Sequence, residues 1–314
     1  MPWTPEDIPD QRGRIAVVTG ANSGLGLATA RELARKGAHV VMAVRNQERA
    51  KAAHAEIEAA VAGASLEIRE LDLASLDSVR ACADGIVGDH GRIDLLVNNA
   101  GLMGIPASTT EDGFEMQIGV NHLGHFALTR QLLPALLQAP AARVVSVTSF
   151  ARLMGRTARE ADVRLRGRYD PWFAYGRSKL ANLQFAVELH RRLDAAGATV
   201  ASLAAHPGLS HTDLQARSVR ETGGGLSQRF WHAAAGAIGM SPAQGALPQL
   251  RAATDLDARG GELYAPMWVT FGPPVRRPIV GPSLNREPCR KLWDLSERET
   301  NEPFDVTAIT AEAH

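Results

Sequence analysis

The sequence predicts an α/β fold in which helices flank a doubly wound parallel sheet. Short apolar runs rich in β-branched residues alternate with Ala-, Leu- and Arg-rich segments of helical periodicity, and a glycine-rich turn joins the first run to the first helix. This alternation is typical of a parallel sheet. A chain of 314 residues is long enough for one large α/β domain or two small ones. Because nothing before Pro273 marks a domain boundary, we predict a single domain over residues 1–314, with residues 273–314 as a C-terminal tail packed on the body.

Composition excludes several classes of partner. Hydrophobic residues make up 45% of the chain, charged residues 22%, and the formal net charge is zero with both signs intermixed. Neither a nucleic acid nor a membrane surface is therefore expected as a partner. No apolar run reaches the roughly 18 residues of a membrane span, and residues 1–11 are polar and proline-rich, so no signal peptide or anchor is predicted. Cys82 and Cys289 lie far apart in sequence, which fits a reducing cytoplasm.

The first strand and helix enclose the glycine-rich turn. Residues 14–19 are predicted to form a buried strand and residues up to 36 a helix, with Gly-x-x-x-Gly-x-Gly between them. Glycines let the backbone approach a pyrophosphate, and the helix N-terminus attracts its charge. A turn of this kind in this context indicates a dinucleotide site, although a purely structural turn is the alternative. The predicted cofactor contacts here are Gly20, Asn22, Ser23, Gly24, Leu25 and Gly26.

The second strand, predicted over residues 39–44, ends at Arg45. An acid near this position accepts hydrogen bonds from the ribose hydroxyls of NAD. A guanidinium instead suits the 2′-phosphate of NADP, so we predict NADP(H) rather than NAD(H). The alternative is that Arg45 is a solvated residue before a helix capped near Asn46.

Two further strands, over residues 65–71 and 93–97, also end in polar or small residues. Asp72 could accept from the adenine amino group or cap the next helix, and small residues after the fourth strand would let a cofactor pass close to the backbone. The cofactor contacts predicted at these ends are Asp72, Leu73, Asn99, Ala100 and Gly101.

A long helix is predicted over residues 114–137 and carries Asn121. His122 and His125 follow at a spacing that a metal could use, but no other ligand cluster is apparent in the sequence, so no metal site is predicted. The fifth strand, over residues 143–148, brings Ser149 to its carboxyl end, where ligand contacts are expected in open parallel sheets. Between Ser149 and Tyr175 lie six arginines. They either recognise an anionic substrate or form a solvated flap paired with Glu160, Asp162 and Asp170.

Tyr175 and Lys179 lie one turn apart on a helix predicted over residues 171–194. The chain has three Tyr and four Lys, so their pairing on one helix face is notable. A phenol beside an ammonium permits proton transfer at a carbonyl or alcohol oxygen. An ammonium at ~4 Å favours the phenolate by about 4 kcal/mol at an effective dielectric near 20, but by about 1 kcal/mol in water. The pair is therefore expected to work only where water is excluded.

The remaining elements could provide that exclusion. A sixth strand over residues 199–205 ends in Pro207 and Gly208, and residues 209–240 form a glycine-punctuated segment with apolar side chains. Such a segment behaves like a substrate lid, and its apolar residues suggest a bulky apolar carbonyl, although periodicity could equally make them core. A helix over residues 242–254, a last strand over 262–265 and a C-terminal helix over 285–298 complete the chain.

With these pieces in place the chain resembles the short-chain dehydrogenase/reductase family. The matching motifs are Thr19-Gly20-x-x-x-Gly24-x-Gly26, Asn98-Asn-Ala-Gly101, Asn121, Ser149, Tyr175-x-x-x-Lys179 and Pro207-Gly208. They occur in the family's order over roughly residues 13–215. Residues 121–126 and 178–182 resemble the retinol-dehydrogenase-like branch. Two features depart from it: the hydrophobic N-terminal anchor of its membrane-bound animal members is absent, and Ser210 replaces the branched residue common after Pro-Gly.

The resemblance implies a single Rossmann-fold domain with about seven strands in the order 3-2-1-4-5-6-7. It also implies that Tyr175 is the general acid or base, that Ser149 holds the substrate oxygen, that Lys179 holds the nicotinamide ribose, and that Asn121 supports a water leading to Lys179. Tyr175, Pro207, Gly208 and Thr212 would also contact the cofactor. The reaction would interconvert a small-molecule carbonyl and alcohol with NADP(H). The helices around Asn121 and Tyr175 often form a two-fold interface in the family, which would give a homodimer or homotetramer, and the tail could either cover or extend that interface.

Carbonyl reduction has three alternatives. A non-catalytic NADP(H)-binding sensor on the same fold would be expected to lack some of the Asn, Ser, Tyr and Lys set, and all four are present. An epimerase or dehydratase acting on nucleotide sugars usually needs a larger C-terminal domain than the roughly 100 residues after Pro207. NAD-dependent alcohol oxidation is the remaining alternative within the oxidoreductases.

Overall fold

One eight-stranded sheet with helices on both faces forms the centre of the fold. The computed structural model describes residues 2–209 and 240–313. The strands are β1 (Ile15–Thr19), β2 (His39–Val44), β3 (Ser65–Glu70), β4 (Leu95–Asn98), β5 (Arg143–Val147), β6 (Ala201–Ala205), β7 (Leu263–Pro266) and β8 (Pro274–Arg277). Their order is β3-β2-β1-β4-β5-β6-β7-β8, and every pairing is parallel except that of β7 with β8. The predicted order of the first seven strands is confirmed.

Strand β8 and helix Val306–Glu312 were not predicted from the sequence. Strand β8 pairs antiparallel with β7 at the edge of the sheet, with Pro274 opposite Pro266. The segment is proline-rich, but proline is tolerated at the start of an edge strand because its missing N–H breaks no ladder hydrogen bond there. The predicted tail therefore begins by extending the sheet.

Helices cover both faces of this sheet. The first seven are α1 (Gly24–Arg35), α2 (Gln47–Ala60), α3 (Leu76–His90), α4 (Met116–Ile118), α5 (Gly124–Leu137), α6 (Glu160–Val163) and α7 (Pro171–Ala195). Helices Pro242–Thr254, Arg286–Thr300 and Val306–Glu312 follow, and 3₁₀ turns occupy Pro5–Asp7, Phe150–Met154 and Pro282–Leu284. None of the helices in the described ranges is long and apolar enough to cross a membrane.

Two apolar cores lie on opposite faces of the sheet because successive strand residues point to opposite sides. On β1, Val17 joins the core that α3, α5 and α7 cover, whereas Ala16 and Val18 join the core under α1, α2 and helix Pro242–Thr254. The interior strands are almost entirely buried, as expected for a parallel sheet covered on both faces. The carboxyl ends of the strands remain available for the candidate site.

The predicted helix over residues 114–137 is interrupted. Helix α4 begins after Glu115, whose buried carboxylate accepts from the backbone N–H groups of Gln117 and Ile118 at 2.9 Å. A π-helical turn, Gly119–Leu123, then separates α4 from α5 and contains Asn121. Such turns within helices are frequent at functional sites, and the extra residue rotates Asn121 relative to a regular α-helix.

The tail after β8 packs into the core. The indole of Trp293, on helix Arg286–Thr300, is 1% exposed and lies 5.2 Å from the ring of Phe126, 5.8 Å from Phe185 and 4.7 Å from Phe304. His122 adds a 2.8 Å hydrogen bond to Ser296. The tail therefore covers part of the helix pair formed by α5 and α7.

Truncating Trp293 should show how much this packing stabilises the fold. We expect Trp293→Ala to lower the free energy of unfolding by about 3–5 kcal/mol, because it leaves a cavity among three aromatic rings. Trp268→Ala is the matched control: its indole is 57% exposed, so the loss should stay below about 1 kcal/mol. Denaturant titration measures both, and equal losses would contradict a core role for the tail helix.

Candidate active site

The four predicted catalytic residues come from three neighbouring elements at the carboxyl edge of the sheet. Ser149 follows β5, Tyr175 and Lys179 lie in the first third of α7, and Asn121 lies in the π-helical turn. Helix α7 begins sharply because the Asp170 carboxylate accepts from two backbone N–H groups of its first turn, each at 2.9 Å. Capping of this kind and Pro171 at the first helical position set the start of the helix, and hence the positions of Tyr175 and Lys179.

Ser149 is held by the short 3₁₀ turn that it begins. Its Oγ accepts from the Ala151 backbone N–H at 3.2 Å and lies near enough to the Tyr175 hydroxyl to lower the pKa of that phenol. The two hydroxyl groups are therefore neighbours at the strand end, where a substrate oxygen is expected.

Tyr175 keeps part of its surface exposed, with its ring against the edge of the Trp172 indole at 6.2 Å. Burial raises the pKa of its phenol above the ordinary value of 10, and the neighbouring Ser149 hydroxyl opposes this only in part. The Lys179 ammonium lies 5.9 Å from the ring centroid. Its expected attraction for the phenolate where water is excluded stays a prediction.

Lys179 is 5% exposed and is tied to the end of β5. Its Nζ donates to the Val147 carbonyl at 3.2 Å, which also accepts from Asn182 at 2.9 Å. Burial lowers the pKa of the Lys179 amine from 10.5 to about 8. The side chain therefore still carries a charge at neutral pH, in a place that strongly disfavours it.

Asn121 joins the loop after β4 to α7. Its Oδ1 accepts from the Leu102 N–H at 2.7 Å, and its Nδ2 donates to the Leu102 carbonyl at 2.9 Å and to Ser178 at 2.8 Å. A Cβ added to Gly101 would lie 3.0 Å from Asn121 Oδ1 and 3.2 Å from Lys179 Nζ. Asn121 and Lys179 are thus brought together across a glycine, while a water between them stays a prediction.

The glycine-rich turn forms a cradle beside these residues. Gly20 has φ 67°, and a side chain on Gly26 would collide with the Gly20 carbonyl and with the Asn99 amide. Within the described part of the chain, no side chain caps the N-terminus of α1 at Ser23, and its first turn holds no acid. Its free N–H groups and positive dipole end suit a phosphate, so the cradle fits the pyrophosphate of a dinucleotide.

Thr19 and His125 support this cradle, and the sequence analysis did not assign them that role. Thr19 Oγ1 accepts from the N–H groups of Asn99 and Ala100 at 2.9 Å each and contacts His125 Nε2 at 2.9 Å. His125 Nδ1 reaches the Asn121 carbonyl at 3.1 Å. His125 therefore links the first and fourth strand ends to the π-helical turn, whereas His122 bonds Ser296 in a separate network. The one sequence signal for this supporting role was the place of Thr19 directly before Gly20, the first glycine of the motif.

The adenosine end of the predicted cofactor site holds an ion pair. Arg45 lies 3.7 Å from the Asp72 carboxylate, with side chains 52% and 31% exposed. Asp72 also accepts from the Ala74 N–H at 2.9 Å. Ser75, not Asp72, caps α3, so the capping alternative for Asp72 is wrong, while Asn46 caps α2 as expected.

Gly208 has φ 73°, and a side chain there would collide with the Thr270 carbonyl and with Met240. The described ends of the predicted lid meet, because the Met240 N–H donates to the Leu209 carbonyl at 2.8 Å. Thr212, Ser210 and the rest of the lid, residues 210–239, lie outside the described residues.

The arginine-rich segment resembles the predicted solvated flap in its contacts. The arginines that pair with carboxylates are Arg156 and Arg159 with Asp162, Arg166 with Glu160, and Arg164 with Glu299. Arg152 instead donates to the Ser149 carbonyl at 3.1 Å. A cavity of about 520 Å³ is lined by Met154, Arg156, Arg168, Tyr169, Asp170, Phe173 and Arg177. None of the four predicted catalytic residues lines it, because positions 173 and 177 face away from 175 and 179 on the helix.

Comparison with known proteins identifies a matching family and several similar sequences. A family model described as short chain dehydrogenase matches residues 14–223. Retinol dehydrogenase 12 and retinol dehydrogenase 14 of Mus musculus are 38% and 39% identical to the chain. The two alignments cover 90% and 91% of this chain and 85% of each relative.

Solved structures of other proteins also match this chain. An uncharacterized protein from Mycobacterium paratuberculosis is 42% identical with a TM-score of 0.80, over 97% of this chain and 99% of that one. A protein described as an NAD(P)-dependent gluconate 5-dehydrogenase from Beutenbergia cavernae, with NADP bound at low occupancy, is 28% identical with a TM-score of 0.60. That match covers 79% of this chain and 92% of the other.

Proposed function

The chain belongs to the short-chain dehydrogenase family, in its retinol-dehydrogenase-like branch, and on that premise we propose that it reduces a bulky apolar carbonyl with NADPH, reversibly. The observation that carries the proposal is the proximity of the Tyr175 and Ser149 hydroxyl groups beside the buried Lys179 ammonium. Two hydroxyl donors converge at one strand end, and a cation lies behind them. That arrangement can hold a carbonyl oxygen and deliver a proton to it.

The chain's own residues then have defined tasks. Ser149 and Tyr175 donate hydrogen bonds to the carbonyl oxygen, which orients the carbon and stabilises negative charge on the oxygen. The phenol proton moves from Tyr175 to that oxygen, and Lys179 stabilises the resulting phenolate. In the reverse direction the phenolate takes the proton from the alcohol. The bound nicotinamide supplies or accepts the hydride.

The nicotinamide dinucleotide fits the glycine cradle and the strand ends around it. The turn from Gly20 to Gly26 and the α1 N-terminus would hold the pyrophosphate, and Lys179 would hold the nicotinamide ribose. The further residues proposed to contact the cofactor are Asp72, Leu73, Asn99, Ala100, Gly101, Pro207, Gly208 and Thr212.

Arg45 is the residue proposed to select NADP(H). We expect Arg45→Ala to raise KM for NADPH by about 10-fold or more while changing KM for NADH by less than about 2-fold, because hydrogen bonds to charged groups contribute about 1.5–3 kcal/mol. Arg49→Ala is the control, since Arg49 is also exposed and lies on the adjacent helix. Steady-state kinetics with both cofactors measures the change. A parent enzyme that prefers NADH, or an equal loss for both cofactors, would contradict this assignment.

Apolar surface beside the site supports an apolar substrate. Phe150, Leu153 and Met154, in the 3₁₀ turn capped by Ser149, are 48–65% exposed. Trp268 and Phe271 are also exposed and flank Thr270, whose carbonyl accepts from the Leu209 N–H at 2.9 Å. Exposed apolar groups around a polar centre are typical of a ligand site. The relatives are named for retinol, which is a bulky apolar alcohol.

A carbonyl screen tests the proposed function. Aromatic, steroidal and long-chain aldehydes and ketones, with retinal among them, are each mixed with the protein and NADPH, and loss of the reduced cofactor is followed. We expect the bulky apolar members to be turned over faster than small polar ones. Turnover restricted to small polar carbonyls would contradict the substrate class. Tight NADPH binding without turnover of any of them would favour the sensor alternative.

A further inference from the structure

A second cluster of chemically active side chains lies at the opposite edge of the sheet. His39 begins β2, Glu67 lies on the neighbouring strand β3, and His90 ends α3. The Nε2 atoms of His39 and His90 lie 3.4 and 2.8 Å from the same oxygen, Oε2 of Glu67, and the three donor atoms all lie within 4.8 Å of one another. None of these residues belongs to the candidate active site, which lies at the carboxyl ends of the strands.

Two of the remaining polar atoms of the cluster, one on His39 and one on Glu67, have partners on the side away from the point where the three side chains meet. The Nδ1 atom of His39 lies 2.8 Å from Ser65 Oγ, which turns its Nε2 towards Glu67. Arg69 donates to the other carboxylate oxygen of Glu67, Oε1, and also pairs with Asp89. Partners of this kind fix ring orientation and carboxylate geometry in metal sites. They leave two imidazole nitrogens and one carboxylate oxygen converging on one point.

We propose that His39, Glu67 and His90 bind a zinc ion. Two imidazoles and one carboxylate form a ligand set that zinc uses with a fourth position left to water. Bonds of about 2.0–2.1 Å in tetrahedral geometry separate donor atoms by about 3.3 Å, and the two distances to Glu67 bracket that value. The side chains are 28%, 22% and 15% exposed, so an ion can enter and keep a water.

The charges around the cluster allow a cation. With both imidazoles neutral, Glu67 and Asp89 contribute two negative charges and Arg69 one positive charge. Arg69 binds the carboxylate oxygen that faces away from the histidines, so a zinc ion on Oε2 need not displace it. Because the ligands come from β2, β3 and the end of α3, the ion would tie these elements together at a sheet edge. Its expected effect is on stability rather than on turnover.

The competing account is a hydrogen-bonded His–Glu–His cluster that binds no metal. Calorimetric titration of tag-free protein with zinc chloride separates the two. We expect one equivalent of zinc per chain, and a loss of affinity of about tenfold or more in His39→Gln and in His90→Gln, since even residues that only support a ligand change affinity 10- to 100-fold. His54→Gln is the control, because among the described residues His54 pairs with a single carboxylate, that of Glu58 at 3.1 Å.

Two further readouts keep the test decisive if a variant folds poorly. Cobalt(II) should give the intense visible absorption of a tetrahedral site in the parent and in His54→Gln, and that absorption should be lost in His39→Gln. Zinc should also raise the midpoint of thermal unfolding of the parent by roughly 2–4 °C, and not that of His90→Gln. Absence of stoichiometric zinc binding, or equal binding by the parent and both ligand variants, overturns the proposal.

Discussion

Replacing Tyr175 with phenylalanine should lower kcat for carbonyl reduction by about 10²–10⁴-fold, the usual contribution of a positioned general acid. The change removes one hydroxyl group, which lies beside Ser149, and leaves the ring against Trp172. Affinity for NADPH should change by less than about threefold, because the glycine cradle and Lys179 are untouched. Steady-state kinetics and a fluorescence titration of NADPH measure the two effects separately.

Tyr264→Phe is the matched control for this substitution. The Tyr264 hydroxyl makes a side-chain hydrogen bond, to Glu262 at 2.8 Å, but it lies on β7 away from Ser149. Its loss should change kcat by less than about twofold. If Tyr175→Phe reduces carbonyls within tenfold of the parent, the phenol is not the proton donor and the proposed mechanism is wrong.

Replacing Lys179 with methionine should move activity and stability in opposite directions. Activity should fall by about 10²-fold or more, since the ammonium stabilises the phenolate in the reaction. The folded protein should become more stable at pH 7. Burial holds the pKa of the amine at about 8 instead of 10.5, which corresponds to about 3 kcal/mol against the folded state. Loss of the hydrogen bond to Val147 offsets about 1 kcal/mol of the gain.

The pH dependence of stability follows from the direction of the Lys179 pKa shift. Below about pH 8 the lysine is protonated in both the folded and unfolded chain, so the full penalty applies to the parent. Between pH 8 and 10.5 the unfolded chain binds the extra proton, so parent stability rises with pH relative to the variant. Denaturant titrations at several pH values measure the difference, with Lys51→Met, at an exposed position on α2, as the control. If Lys179→Met is less stable than its parent at pH 7, burial of the charged Lys179 amine does not destabilise the folded protein.

Local patterns predicted much of the fold because parallel strands and their helices have strong local signals. The β-branched runs of β1, β2 and β5 and the capped start of α7 were placed within a residue or two. Features that depend on distant partners were not accessible. Strand β8 exists because β7 offers it a free edge, and the π-helical turn at Asn121 interrupts a segment whose residues have helical periodicity throughout.

The candidate site likewise has features that local sequence predicts and features that depend on distant partners. Residue types and spacing sufficed to select Ser149, Tyr175 and Lys179, because their chemistry is local to short motifs. The burial that raises the pKa of Tyr175 depends on the whole fold and cannot be read from spacing. Arg45 and Asp72, which pair, are 27 residues apart in the sequence. Glu67 is 28 residues from His39 and 23 residues from His90, yet the three side chains meet. Only the register of β2 with β3 and the return of α3 bring such residues together.

Transfer of a labelled hydride tests the central claim most directly. NADPH carrying deuterium at the transferable position of its nicotinamide is incubated with the protein and the best carbonyl from the screen, and the alcohol is analysed by mass spectrometry and NMR. We predict one deuterium on the carbinol carbon of the product, with the label absent when Tyr175→Phe replaces the parent over the same time. An alcohol formed without deuterium on that carbon, or bound NADPH that never transfers its label to any carbonyl, would contradict the assignment of this chain as a carbonyl reductase.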